Sequence, residues 1–263
     1  MPTLTEKEMI SAIKYQADQF IPVPIDKVTI SLEMLEENKK AKITKTLIVA
    51  APNSHIHRIT QLCEELALYP LNMENEVSAY FRILRHLKNT GLSPQIPSEG
   101  HLLVANIGSE ATSLYVYDVV TMTPVMVHTF SIGTSLWVKD LMTNLQLDEQ
   151  KAAQLLATSG LLATGADKKT TVMGPVLAEY LGEIKRYLLS LRQRTDTTIA
   201  PAKCLVLGSG AQVPGVEQAL SQSTNLPVEM LSYEPWLTQN EVSQYFAKEL
   251  YAFVPCVGAS LVE

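Results

Sequence analysis

Apolar positions along the chain follow two periods, alternation by two and recurrence at three and four, and the order of these segments is that of an α/β protein. Ile10, Ile13, Ala17 and Phe20 share one face of a helix over residues 5–21, opened by the capping pair Thr5 and Glu8 and ended by Pro22 and Pro24. Val28, Ile30, Leu32 and Met34 then alternate with Thr29, Ser31 and Glu33, the pattern of a half-buried strand. The polar run 36–40 reads as a solvated turn, and residues 43–51 return as a second, more apolar strand. Asn53 or Ser54 caps the next helix, which turns Ile56, Ile59, Leu62, Cys63 and Leu66 toward a core. A short strand is expected over residues 71–73. Val77, Tyr80, Phe81, Leu84 and Leu87 line the helix after it, which ends near Gly91, and Pro94 and Pro97 mark residues 93–100 as a linker.

Past the linker the periods shorten. Residues 102–107 form an apolar strand, Gly108 centres a tight turn and permits positive φ there, and Leu114 and Val116 alternate in the returning strand. A third strand over 124–132 ends at Gly133, followed by helices over 135–145 and, capped by Asp148, 149–158. Residues 160–171 are loose and hydroxyl-rich. Pro175 opens a long helix over 176–193 with Leu177, Tyr180, Leu181, Ile184, Leu188 and Leu191 on one stripe. The strand 204–207 runs into Gly208, Ser209, Gly210 and Ala211, and Pro214 opens the helix that follows. Residues 228–231 form a last strand and 250–261 a terminal apolar helix.

Candidate chemistry gathers at the two glycine turns. Small hydroxyls at Ser109, Thr112 and Ser113 beside Gly108 suit a concave anion site, the alternative being a plain β-hairpin with a Ser/Gly turn. The 208–211 loop, placed between a strand and a helix, lets a ligand approach the backbone closely, although such glycines also occur at ordinary strand–helix corners.

Composition narrows the function classes. The 263 residues are 46% hydrophobic and 18% charged, enough for a well-buried core in one large or two small domains. A net charge of −6 gives no general attraction to nucleic acid or anionic lipid. There is no run of 18 apolar residues and no basic-apolar leader, so a cytoplasmic location with membrane association only through a partner is expected. Cys63, Cys204 and Cys256 lie far apart among apolar residues and read as buried small hydrophobes. His55 and His57 point to different sides of a helix start, so no zinc pattern forms.

Taken in order, the 102–117 hairpin and the 204–220 strand–loop–helix resemble the second half of the actin-like ATPase fold, in which a D-x-G-x-x-[ST] hairpin meets nucleotide phosphates and a later glycine loop meets the adenosine. With the Ile21-Pro-Val-Pro-Ile-Asp26 run, the chain resembles the PilM family of actin-like type IV pilus assembly proteins from about Thr5 to its C-terminus. The resemblance implies a two-lobe α/β, ribonuclease H-like fold with a small 1C-type subdomain over residues 1–75. A first-lobe helix and crossover would follow over 76–100, a second lobe over 101–249, and a closing helix over 250–263 that returns to the first lobe. It implies ATP contacts from Asn106, Gly108, Ser109, Thr112, Gly208, Ser209, Gly210 and Ala211, with Glu183, Lys185 and Arg186 against adenine and ribose. It also implies a groove between subdomains 1A and 1C for the cytoplasmic tail of a bitopic PilN-like membrane protein, with Tyr15 and Gln19 near it, and contacts with other pilus assembly proteins; self-association is left open.

Three departures from the family pattern shape the expectation. Nothing before Thr5 supplies the family's first phosphate hairpin, so the chain is expected to be N-terminally truncated relative to the family. Asn106 stands where the family has the Asp that holds Mg²⁺, which removes a full charge beside the cation and costs on the order of a few kcal/mol in metal binding. Ser209 replaces a middle glycine. Weak ATP binding with little or no turnover follows, and Mg²⁺ is left without its charged ligand. A sugar- or acetate-type kinase on the same core would need an intact first loop and a catalytic carboxylate, and neither is visible. A cell-division protein of the FtsA type would end in a basic amphipathic helix, whereas this chain ends Ala-Ser-Leu-Val-Glu263.

Overall fold

The computed structural model describes residues 21, 23–38, 43–91, 93–161, 174–193, 199–233, 237–247 and 249–261. The helix expected over 5–21 lies, but for its last residue, outside the described residues, with Thr5, Glu8, Ile10, Ile13, Tyr15, Ala17, Gln19 and Phe20, as do Pro22, Lys39, Lys40 and residues 162–171. The chain divides into two units, Met1–Asn75 and Glu76–Glu263.

In the first unit β1 (Val28–Asn38) pairs antiparallel with β2 (Ile43–Pro52), Val28 opposite Pro52 and Asn38 opposite Ile43, with a bulge between Met34 and Glu36. The strand therefore continues through part of the polar run read as a turn. Helix α1 (Asn53–Glu65) follows at once. Its N-cap is Pro52, without a side-chain cap, because Asn53 turns back to accept from Thr29 Oγ1 at 2.8 Å and to donate to Asp26 O at 3.2 Å. Two further expectations fail here. No residue of α1 is buried, and Ile59, Leu62 and Leu66 are exposed rather than in a core. Residues 71–73 form no strand, since the Asn72 side chain captures the Met73 N–H at 2.9 Å and bends the chain.

The second unit is built on a five-stranded sheet of order β5-β4-β3-β6-β7. Strands β3 (His101–Ile107), β4 (Thr112–Asp118) and β5 (Thr123–Phe130) form an antiparallel meander, while β6 (Pro201–Leu207) lies parallel to β3 and β7 (Val228–Met230) parallel to β6. Because β3 is central and covered on both sides, its apolar run is continuous, and successive side chains feed two different cores. Leu103, Ala105 and Ile107 pack with Trp137 and Leu141 of α3 (Thr134–Leu145), Leu156 of α4 (Glu149–Ser159), and Tyr180, Ile184 and Leu191 of α5 (Gly174–Gln193). Leu102 and Val104 face the other way, onto Tyr80, Ile83, Leu84 and Leu87 of α2 (Glu76–Thr90). Fully burying each of these aliphatic side chains contributes about 2 kcal/mol before chain entropy is charged against it.

Helix α6 (Val216–Thr224) and the short α7 (Glu241–Tyr245) come next, and α8 (Val254–Ser260) closes the unit by packing on α2. Gly258 makes that crossing close, since a Cβ there would lie 2.0 Å from Ala79 O, and Arg82 Nη1 donates to Gly258 O at 2.7 Å. The terminal helix expected as one piece is two: a 3₁₀ turn over Leu250–Ala252, then α8, with Pro255 in its first turn, where the ring has no N–H to continue a preceding helix. The helix expected from Pro214 instead begins after Gly215, whose φ of +86° breaks the path, and Pro214 O is used by Leu161 N at 2.8 Å. Of the cysteines, Cys204 is buried, with its thiol pushed up to about 12 by desolvation; Cys63 is half-buried and Cys256 exposed, so the expected burial holds for Cys204 alone. No described helix is long and apolar enough to cross a membrane.

Candidate functional site

The parallel register of β3 and β6, with Ala105 opposite Val206 and Asn106 opposite Leu207, brings the Gly108 turn and the Gly208 loop out of the same end of the sheet on neighbouring strands. Carboxyl ends of strands are where open α/β sheets receive ligands. The two turns touch. A Cβ on Gly208 would lie 2.4 Å from Asn106 Oδ1 and 2.6 Å from Ile107 O, and one on Gly210 would lie 2.3 Å from Ile107 Cγ2. Ser209 Oγ donates to Ile107 O at 3.4 Å. Gly208 adopts φ +85°, the left-handed region that favours glycine, and opens a 3₁₀ turn over Ser209–Gln212 in which Ala211 N donates back to Gly208 O at 3.1 Å. Gly108 does not use the positive φ open to it; its N–H donates to Ala111 O at 2.9 Å and closes the hairpin.

A third element joins these turns. Gly133 ends the strand region before α3, and a Cβ there would lie 2.3 Å from Ser109 O and 2.5 Å from Gly108 O. The first two amides of α3 donate into the hairpin, Thr134 N to Gly108 O at 3.0 Å and Ser135 N to Ser109 O at 2.9 Å. Ser109 Oγ and Ser135 Oγ are 2.7 Å apart, and both hydroxyls donate to the Glu110 carboxylate. The Ser135 hydroxyl foremost, then Ser109 and the nearby Lys139 charge, hold that carboxyl below its ordinary range.

Asn106 links this end of the sheet to α2. Its Nδ2 donates to the carboxylate of Glu76, the first residue of that helix. Tyr80 and Tyr115 lie beneath, their rings 5.5 Å apart, both phenols raised by burial first and by the Glu76 charge second, Tyr115 to about 12. Both therefore stay protonated. Among the described residues no group of three His, Cys, Asp or Glu side chains could hold a metal unaided.

Of the residues singled out in the sequence, Asn106, Gly108, Ser109, Gly208, Ser209, Gly210 and Ala211 come together here. Thr112 stands beside them but is fully buried, its hydroxyl donating to Ile132 O at 2.7 Å, which turns it away from the turn's surface. Glu183, Lys185 and Arg186 are elsewhere. Glu183 pairs with Arg186 on α5, and the two line a shallow groove with Met126, Val127, His128, Tyr187 and Ser190 at the β5 edge of the sheet, while Lys185 is exposed. The strand order sets that edge three strands from β6 and its glycine loop. Sequence reasoning passed over Gly133, Ser135, Glu110 and Glu76. Gly133-Thr134-Ser135, at a strand-to-helix corner, carried the same signal as Gly208-Ser209-Gly210.

The model of the family described as type IV pilus assembly protein PilM matches residues 1–255. A solved PilM–PilN type IV pilus biogenesis complex contains a chain similar to this one at 20% identity and TM-score 0.81, over 99% of this chain and 74% of that one. MreB5 of Spiroplasma citri is similar at 12% identity, bound to AMPPNP (TM-score 0.55, 81% of this chain and 65% of that) and bound to ADP (TM-score 0.56, 81% and 66%). No curated protein is matched by the sequence. The fold is thus that of the actin-like ATPases, and the chain belongs to the type IV pilus assembly protein PilM family.

Proposed function

We propose that this protein is a cytoplasmic scaffold of type IV or competence pilus assembly, held at the inner face of the membrane by the cytoplasmic tail of a bitopic PilN-like protein. The observation that carries this reading is the likeness, across 99% of the chain, to the PilM–PilN complex. Titration with such a tail peptide tests it. Saturable binding that is lost when residues 1–75 are replaced supports it; equal binding by a still-folded Glu76–Glu263 unit would move the partner site elsewhere.

The convergence of the Gly108, Gly133 and Gly208 turns supports nucleotide binding in the same protein, with phosphates at the Ser109 and Ser135 hydroxyls and the Ser109 amide and the adenosine side toward Gly208–Ala211. The AMPPNP and ADP in the MreB5 structures belong to those proteins and lend the fold its plausibility as a nucleotide holder. A divalent cation bound with the nucleotide offsets phosphate charge, and it needs only one or two protein oxygens. Asn106 Oδ1 and the Glu76 carboxylate, which accepts a hydrogen bond from Asn106 Nδ2, are the hard oxygens that fit it. The charge missing at Asn106 is thereby recovered in part at Glu76, one hydrogen bond away. Nucleotide then acts by shifting populations of partner-binding states, without a need for turnover. Calorimetry of ATP with and without Mg²⁺ tests this, with weak binding of modest metal dependence as the expected result and no binding at millimolar ligand as the contrary one.

A further inference from the structure

The turn between β3 and β4 presents two serine hydroxyls within 2.7 Å of each other at the start of a 12-residue helix, and both already donate to one anion, the carboxylate of Glu110. We infer that Glu110 is a built-in occupant of the phosphate position at this turn, an autoinhibitory carboxylate that a nucleotide phosphate must displace. This rests on the reading of the glycine turns as a nucleotide site.

The chemistry of the two anions is matched. A carboxylate and a phosphate oxygen both accept from hydroxyls, and both gain from the positive end of a helix. Gly133, the N-cap of α3, has no side chain, and the first amides of the helix go to the carbonyls of Gly108, Ser109 and Gly133, so the donors left for an anion at this corner are the Ser109 and Ser135 hydroxyls. Glu110 supplies that anion from the tip of the hairpin, with Lys139 one turn into the helix reinforcing the attraction. The lowered carboxyl pKa agrees, since it means the charged form is the one held. Glu110 itself is exposed at the tip of the hairpin, so it can swing out when a stronger anion arrives. The consequence is a site that is complete in its donors and yet weak for its ligand.

A purely structural role, in which Glu110 only caps α3, makes a different forecast. The decisive experiment is calorimetric titration of the full chain and of Glu110→Gln and Glu110→Ala with ADP and, separately, with pyrophosphate, beside thermal melts of each protein. Displacement predicts that both variants bind both ligands about tenfold more tightly, because a charge repelling the phosphate and competing for its donors is gone. Unchanged or weaker binding by folded variants overturns the inference and leaves the nucleotide site standing. Tightening for ADP alone also overturns it, because the gain would not lie at the phosphates. If neither ligand binds the parent chain or either variant at millimolar concentration, the nucleotide reading fails and the inference falls with it.

Discussion

Replacing Gly133 by alanine probes the joint between the hairpin and α3 more sharply than any change of a hydroxyl. The residue has φ −138°, which any side chain adopts, so backbone strain plays no part. What alanine meets is backbone: Ser109 O at 2.3 Å, Gly108 O at 2.5 Å and Ser109 C at 2.6 Å. A flexible neighbour could rotate away; these atoms move only if the whole turn moves. Displacing it breaks two hydrogen bonds, Thr134 N to Gly108 O and Ser135 N to Ser109 O, worth about 1 kcal/mol each. Overpacking adds about 1–3 kcal/mol, for a total of about 3–5 kcal/mol. With a urea dependence of about 2 kcal/mol per molar, the unfolding midpoint of Gly133→Ala should fall by about 1.5–2.5 M. Gly174→Ala is the matched control. Gly174 begins α5 with nothing within 4 Å of its would-be Cβ and no positive φ, so alanine there should leave stability unchanged or raise it slightly. A Gly133→Ala midpoint as little changed as the control's would refute the packing of the Gly108 turn against α3.

Asn106→Asp sets two carboxylates a hydrogen bond apart with Glu76; without a cation it should destabilise by about 1 kcal/mol, the pair being solvent-exposed, and with Mg²⁺ the loss should reverse and nucleotide binding become metal-dependent, readable by melting with and without Mg²⁺. The Asp148 carboxyl is lowered by the Lys151 side chain and then by the Lys151 amide it caps, so its contribution is present above its unfolded value of 3.8 and disappears as pH falls through the lower folded one. Asp148→Ala should therefore lower the melting temperature at neutral pH and flatten the acid limb, the two proteins converging below that window. Gly258→Ala would drive a Cβ to within 2.0 Å of Ala79 O, and should cost about 1–3 kcal/mol and speed amide exchange in α8 ahead of the sheet.

The sheet was legible because β3, buried on both faces, leaves an uninterrupted apolar run, and because Gly108 and Gly208 stop their strands in the sequence itself. What periodicity does not carry is the partner of an element. The stripe of α5 told which side is buried, with Tyr180, Ile184, Tyr187 and Leu191 in the core, but not that Glu183 and Arg186 would lie beside β5. Thr112 looked like a turn hydroxyl by its position, yet the pairing of Thr112 with Ile107 carries it into the ladder, where Ile132 O accepts its hydrogen bond. Gly133 could have been found, since it sits at a strand-to-helix corner of the same kind; Glu76 could not, because only the lie of α2 across β3 brings it to Asn106. The helical spacing of Ile59, Leu62 and Leu66 on α1 was read as core and is exposed.

The central claim is that the turns after β3 and β6 hold one ligand together. Hydrogen exchange followed by mass spectrometry, on the full chain with and without several millimolar ADP, tests it most directly. The amides of residues 106–112 and those of residues 208–213 should slow in parallel, with the same dependence on ADP concentration, and the start of α3 with them. Protection of one turn without the other, or saturable binding whose protection falls wholly outside both, would contradict the account.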